Sequence, residues 1–439
     1  MNFDCADDVY AFLNRFLNFE RKLDPIEYRL DRMHKLKADF GKPDECCPLF
    51  HVAGSKGKGS TATMLASIIQ QRDAPAGLFT SPHLLHFTER IAIGGRPVQD
   101  DVLLPAARIL ADGLQGMSPE SFPGGEAPTY FELLTILGFL CFRLAGCKKA
   151  VIEVGLGGRL DSTNIIKPIA SLITPIELEH TEILGATIPL IAAEKAGIIK
   201  AGVPAFTSAQ RPEALEVMRR KADAEQSALY ILDEEMKLSD ISMSRTGSTA
   251  TLECKDRSLL GDPLRLQLPV IGQVQLRNAA LAALAAAHAG YSRTEILTGL
   301  AACRLRARFE IIPGNPIIIL DGAHTVDSVA ACRRDFVELF PEGGVLLFGC
   351  AKDKKVQELA KQFGPEIKDV VLTRPGTFKE SNLEAMTAAF GEQGYQAACI
   401  PETAQAINTA KDLARQRGLP LLVCGSFYLC AEVASGLLE

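Results

Sequence analysis

The stretch His51-Val52-Ala53-Gly54-Ser55-Lys56-Gly57-Lys58-Gly59-Ser60-Thr61 decides the fold class. It continues an apolar run, Leu49 to Val52, and opens a segment of helical character from about Thr61 to Gln71. Strand, glycine-rich turn and helix make the unit of a doubly wound parallel sheet. Gly54, Gly57 and Gly59 let backbone N–H groups turn inward around phosphate oxygens. The following helix adds the positive end of its dipole. Lys58 is placed to reach terminal phosphates, and the Ser60 hydroxyl to ligate Mg2+. Gly59 separates Lys58 from Ser60, so the common G-x-x-x-x-G-K-[ST] spacing is not met. A second glycine cluster, GLGGRL at 155–160, has Leu160 where a dinucleotide fingerprint needs glycine.

Similar units extend outward from this loop. Leu133 to Leu144 reads as a buried helix, and Ala150 to Val154 as a strand running into GLGGRLDSTN. Ile169 to Thr174 reads as another strand, followed by a loop with Glu177, Glu179 and His180. Ile188 to Ala196 is a helix stopped by Gly197. Nearer the start, Phe12, Leu13, Phe16 and Leu17, then Ile26, Leu30, Met33 and Leu36, recur at helical spacing. Residues 228–268 are polar and alternating, which predicts one or two antiparallel hairpins, and Asn278 to Ala289 is an Ala-rich helix. After Arg304–Arg308 the strand pattern restarts at 317–320, 345–348, 369–373, 397–400 and 420–424. The expected fold is α/β. A P-loop-containing doubly wound domain with N-terminal helices spans 1–303, and a smaller Rossmann-like α/β domain spans 304–439.

Composition narrows the function. With 439 residues, 47% apolar and 23% charged, the chain is neither disordered nor fibrous. A net charge of −6, no Trp and 6% aromatics argue against a nucleic-acid partner. The most apolar stretch, Leu133 to Phe142, is shorter than the roughly 20 residues a bilayer requires, so no membrane partner is expected. The acidic start MNFDCADDVY lacks a signal pattern. Twelve cysteines are scattered with no CxxC pair, as free thiols in a reducing cytoplasm would be. Cys46 and Cys47 are adjacent, an unfavourable spacing for a mutual bridge. A cytoplasmic monomer is expected.

Several polar residues sit where chemistry is done. Glu153, inside the apolar strand AVIEV, needs either a bound cation or an ion-pair partner. His180, Asp321 and His324 all follow strand ends, the edge at which open α/β sheets bind ligands. Lys195, in IAAEKAG, reads on pattern alone as a solvated helix lysine.

These pieces occur together, in order, with TSPHLLHFTERI, TYFELLT, VIEVGLGGRLDSTNII, EHTEILG, EKAGIIK, RARFE, ILDGAH and CGSFYL. Over nearly its whole length the chain resembles the folylpolyglutamate synthase and dihydrofolate synthase family of the Mur ligase superfamily. The resemblance implies an ATP-dependent amide ligase. A carboxylate of folate or dihydropteroate becomes an acyl phosphate, and the α-amine of L-glutamate attacks it. Gly57, Lys58, Gly59 and Ser60 would hold the ATP phosphates. Ser60, Ser81 and Glu153 would ligate one Mg2+, and His180 with Lys195 a second. Lys195 would carry a carbamate. Asn278, Arg308 and Asp321 would bind the adenine, phosphate and ribose parts of ATP. Lys58, Lys195 and His324 would be catalytic. Thr129, Tyr130, Phe131, Glu132 and Asp161 would line the pterin or pteroate pocket. The chain departs from the family at Ser55-Lys56, His86, Thr88, Glu179, Val274 and Thr325-Val326, and Asp24 to Arg29 match its dihydropteroate patch poorly. Two other readings are a Mur-type ligase acting on a cell-wall nucleotide precursor and a P-loop NTPase switch without ligase activity.

Overall fold

Parallel strands buried on both faces read as unbroken apolar runs, and the longest such runs build the centre of the first sheet. The computed structural model describes residues 2–18, 29–208, 210–376 and 380–436. Its chain divides into two compact units. One comprises Met1–Asp240, Ala250–Gln267 and Arg277–Cys303; the other comprises Ile241–Thr249, Leu268–Leu276 and Arg304–Glu439.

In the first unit, eight strands form one sheet: β1 (Leu49–Ala53), β2 (Ala76–Phe79), β3 (Ile91–Ile93), β4 (Arg96–Pro97), β5 (Lys149–Glu153), β6 (Ala170–Ile173), β7 (Ala205–Thr207) and β8 (Leu229–Ile231). Their order is β4-β3-β2-β5-β1-β6-β7-β8. The six strands from β2 to β8 in that order run parallel, while β3 and β4 add an antiparallel edge. Val52 of β1 lies opposite Glu153 on one side and Leu172 on the other. The turns after β1, β2, β5 and β6 therefore open on the same carboxyl edge of the sheet.

Helix starts are set by capping. The phosphate-loop helix is Lys58–Ile69, three residues longer at its start than expected. Gly57 precedes it with φ +85°, a left-handed conformation that suits glycine. Lys58, Gly59 and Ser60 are thus the first helical turn. The helix Tyr130–Leu144 likewise begins early, on a capping box between Thr129 and Glu132. The first helix is shorter than its pattern: it spans Ala6–Leu13, so Phe16 and Leu17 follow it rather than continue it. A second spans Asp31–Asp39. Ile26, and the Asp24 to Tyr28 part of the N-terminal patch, lie outside the described residues.

Of residues 228–268, expected to form one or two hairpins, 229–231 instead extend the parallel sheet as β8 and Leu232–Glu235 is a short helix, while the remaining strands form a small separate sheet. They are β9 (Met236–Ser244), β10 (Gly247–Cys254) and β11 (Leu264–Leu268), in the order β11-β10-β9. The second unit holds a six-stranded sheet of β12 (Glu310–Ile312), β13 (Ile318–Leu320), β14 (Gly344–Phe348), β15 (Ile367–Leu372), β16 (Ala398–Cys399) and β17 (Leu421–Cys424). Its order is β12-β13-β17-β14-β15-β16, with β12 alone antiparallel. Phe336, Phe340, Phe348 and Phe390 anchor its core.

The phosphate-loop helix is held from behind by the helix Arg293–Ala302 at a near-zero gap. A Cβ at Gly299 would stand 2.5 Å from Ile68 Cα and 2.7 Å from its nitrogen. The Ser67 hydroxyl donates to the Gly299 carbonyl at 2.6 Å. The colliding atoms are backbone, so they cannot rotate away. Gly299→Ala is expected to destabilise the protein by about 1–3 kcal/mol through overpacking, read as a lower urea midpoint with an unchanged m-value.

Candidate active site

The phosphate loop is clamped to the loop after β6. The Pro175 carbonyl accepts from the Ser55 amide at 2.9 Å and the Lys56 amide at 3.2 Å. The Ser55 hydroxyl donates to the Glu177 carbonyl at 3.2 Å. A Cβ at Gly54 would fall 1.9 Å from Thr174 Oγ1. The loop amides divide between two tasks. Two are spent on Pro175, and the donors suited to an anion are the first-turn amides of Lys58, Gly59 and Ser60, which have no intrahelical acceptor. The Lys58 ammonium bends over the loop to the Ser55 carbonyl at 3.4 Å. The Asn278 side chain lies against Gly57, where a Cβ would stand 2.6 Å from Oδ1.

Glu153 ends β5 with only 3% of its surface exposed. Its Oε2 accepts the Ser81 amide at 3.0 Å and would stand 3.3 Å from a Cβ on Gly59. Glu153, Ser81 and the first turn that carries Ser60 thus meet across β5, β2 and β1. Among the described residues no three His, Cys, Asp or Glu side chains converge as a metal cluster. A single buried carboxylate flanked by serines still fits Mg2+, which keeps waters and takes substrate phosphates as ligands.

Lys195 is not solvated. It is 1% exposed, and its ammonium donates to the Gly54 carbonyl at 2.8 Å and to Glu179 Oε1 at 3.1 Å. The helical pattern failed here because it records the lysine's own face and not the loop packed over it. Burial pulls the Lys195 pKa down to about 8, against the pull of Glu179 and with the help of Lys58 and Lys56. Burial would raise the Glu179 carboxyl, but Lys58, Lys195, Lys56 and His180 outweigh it and bring it to about 2. Lys56 Nζ lies 3.7 Å from Glu179 Oε2. Glu179 is therefore the hub of the site, and the sequence marked it only as an acid before His180. His180 is exposed, with φ +48° ahead of the short helix Thr181–Leu184.

The pocket candidates prove to be structural as well. Thr129 and Glu132 cap their helix, and Glu132 pairs with buried Arg32 at 3.1 Å. Tyr130 is buried, under the Arg90 guanidinium at 5.8 Å from its ring centre. Phe131 is half-buried, and its ring occupies the space a Cβ on Gly155 would take. Asp161 accepts from the Leu156 amide at 2.8 Å, the Thr163 amide at 3.0 Å and the Thr163 hydroxyl at 2.5 Å. It holds the glycine-rich turn after β5 in shape. Glu89 does the same for the loop after β2, accepting the amides of Leu84, Leu85 and His86.

In the second unit Arg308, Asp321 and His324 form a separate group. Asp321 accepts from the Phe309 amide at 2.9 Å and the Ala323 amide at 2.8 Å. Burial pushes its carboxyl up to about 6, opposed by Arg308 and those amides. Ala307 and Phe309, on either side of half-buried Arg308, both adopt left-handed φ near +50°. Its guanidinium lies 5.0 Å from the ring centre of Phe427, in the CGSFYL segment. The His324 ring Nδ1 meets the Gly322 carbonyl at 2.8 Å.

Two family models match the chain: the Mur ligase middle domain over residues 52–287 and the Mur ligase glutamate ligase domain over 307–427. Folylpolyglutamate synthase of Lacticaseibacillus casei is 32% identical over 410 residues, which cover 91% of this chain and 92% of that protein. Dihydrofolate synthase/folylpolyglutamate synthase of Bacillus subtilis is 33% identical over 368 residues, covering 82% and 83%. The structure of Mycobacterium tuberculosis folylpolyglutamate synthase complexed with ADP matches with a TM-score of 0.88 at 26% identity, over 99% of this chain and 98% of that one.

Behind Asp161 lies an acid-sensitive support. His51 Nε2 meets Thr163 Oγ1 at 2.9 Å. Thr163 gives its one proton to Asp161, so His51 must donate and is neutral. Its Nδ1 is buried without a partner among the described residues. Burial, helped by Lys200, lowers its pKa from 6.5 to about 3. Between those values the unfolded chain binds a proton that the folded chain refuses, so stability falls as pH falls through that window. His51→Gln keeps a donor but cannot titrate. Its unfolding free energy should decline less steeply from pH 6.5 to 4, by up to about 1.4 kcal/mol per pH unit, as measured by denaturant titrations at each pH.

Proposed function

Because the chain belongs to the folylpolyglutamate synthase family of the Mur ligase superfamily, we propose that it uses ATP to join L-glutamate to the carboxylate of a folate through an acyl phosphate. It is an ATP-dependent ligase that adds glutamate to folates. The observation that carries the detailed reading is the gathering of the phosphate-loop helix, Glu153 and the Lys195–Glu179 pair along one sheet edge.

Two anions, ATP and a carboxylate, must approach each other, so fixed positive charge has to meet them. Lys58 and the amides of Lys58, Gly59 and Ser60 suit the terminal phosphates. Gly57 allows the turn that aims them. Ser60, Ser81 and Glu153 would hold a first Mg2+, and His180 with Lys195 a second. Bound Mg2+ would screen phosphate charge during transfer. Asn278, Arg308 and Asp321 are assigned to the nucleotide, and His324 to the glutamate or phosphate side. Phe131 is the pocket residue with surface to offer a pterin, while Thr129, Tyr130, Glu132 and Asp161 position it. Similarity to the Bacillus subtilis relative supports dihydropteroate as a second acceptor. Twelve unbridged cysteines suit a reducing compartment such as the cytoplasm, and no helix of the described residues is long and apolar enough to cross a membrane.

The Lys195 environment fits a carbamate. A bare ammonium repels Mg2+, and only an uncharged amine captures CO2. Burial that lowers the ammonium pKa to about 8 supplies that amine near neutral pH. A carbamate beside Glu179 would put two anions together, an arrangement stable only around a cation.

ADP release is expected to rise only when a reduced folate and L-glutamate are both present, with a product heavier by one glutamyl residue. Dihydropteroate assayed in parallel reports the second acceptor. Hydrolysis indifferent to both substrates would indicate an NTPase switch instead. Lys195→Ala should lose about 10²-fold in turnover, the scale of removing one preorganised charge-stabilising group. Acetate should restore part of it by replacing the missing anion. A folded variant with full activity and no acetate would leave Lys195 a structural ion-pair residue.

A further inference from the structure

We propose that Cys46 and Cys47 form a dithiol modification site that a small hydroperoxide closes into a vicinal disulfide. The two sulfurs are 3.8 Å apart and share a hydrogen bond. Both residues are half-buried, whereas Cys141, Cys147, Cys254, Cys303, Cys332, Cys350, Cys424 and Cys430 are buried and Cys5 and Cys399 are exposed. No other pair of thiols among the described residues is both in sulfur contact and open to solvent.

The surroundings favour attack by Cys46. The sulfur contact with Cys47 holds the Cys46 thiol below its ordinary pKa, against burial and the Asp44 carboxylate, and Arg143 adds a smaller pull the same way. Cys47 is pushed the other way by the same contact and by burial, so it stays protonated as the second partner. Thiolate attack needs the first group ionised and the second within reach. The Cys46 sulfur attacks one peroxide oxygen, the O–O bond breaks, and a sulfenic acid and water result. The Cys47 thiol then attacks the Cys46 sulfur; the S–S bond forms, the S–O bond breaks, and its proton leaves in a second water. Two thiols are oxidised and one peroxide is reduced by two electrons.

Adjacency makes the product reversible. Neighbouring Cα atoms are about 3.8 Å apart across a trans peptide, short of the roughly 4.4–6.8 Å that disulfides prefer. A strained bond of this kind is readily returned to thiols by a thiol reductant. The pair also lies between the turn Pro43–Glu45 and β1, the strand that delivers the phosphate loop. The buried Asp44 carboxylate there pairs with Lys37 at 2.6 Å.

The full-length protein is treated with hydrogen peroxide, alkylated with iodoacetamide and mapped by peptide mass spectrometry. The expected result is one peptide carrying both residues, unalkylated and lighter by two hydrogens, that becomes doubly alkylated after dithiothreitol. Cys47→Ser should stop at a sulfenic acid on Cys46 that dimedone traps. Three results would overturn the proposal: both residues alkylated while Cys5 and Cys399 are oxidised, a cross-link from Cys46 or Cys47 to Cys147, or sulfinic acids with no disulfide.

Discussion

One backbone carbonyl organises the first unit. Pro175 O accepts both the Ser55 and Lys56 amides, and so ties the turn after β1 to the turn after β6. An open glycine loop would otherwise sample many conformations, at a cost in entropy each time it met a nucleotide. Pinned at Ser55 and Lys56, it needs only Gly57 in the left-handed region to launch the helix at Lys58. The close fit of Gly54 on Thr174 belongs to the same clamp. The parallel register of β5, β1 and β6 places all of this on one edge.

The same clamp gathers charge. Lys56, Lys58 and Lys195 stand around the single carboxylate of Glu179. A buried lysine is costly unless it is paired, and Lys195 satisfies its ammonium with Glu179 and the Gly54 carbonyl. The excess of positive charge is what a polyanionic substrate would neutralise. Glu153, one strand away, contributes the opposite sign and needs a cation or donors in turn; the Ser81 amide is one of them. Donors for anions and acceptors for cations are thus held side by side before any ligand arrives, the arrangement that electrostatic preorganisation requires.

Several residues expected to touch substrate also hold the scaffold. Thr129 and Glu132 cap a helix, Glu132 neutralises Arg32, and Asp161 ties down the turn after β5 through Leu156 and Thr163. Substituting any of them would disturb shape and contact together, and loss of activity alone would not separate the two. Phe131 differs, since it is half-buried and its ring lies over Gly155.

The amino-acid sequence by itself determined the α/β class, the central strands and the position of the phosphate loop. Strands such as β1, β5 and β6 are buried on both faces, so their apolar runs are continuous and carry the signal locally. Short strands such as β3, β4 and β7 are two or three residues long, too short for periodicity to register. Helix starts shifted because a capping contact or one left-handed glycine outweighs the hydrophobic pattern, as at Gly57 and Thr129. The tertiary structure alone decided that Lys195 is buried, that Glu179 joins it to Lys56, and that the Ser55 and Lys56 amides belong to Pro175. Those facts depend on which loop packs over which face, for the most part between residues more than a hundred positions apart. Periodicity within one helix reports only the face a residue shares, not what covers it.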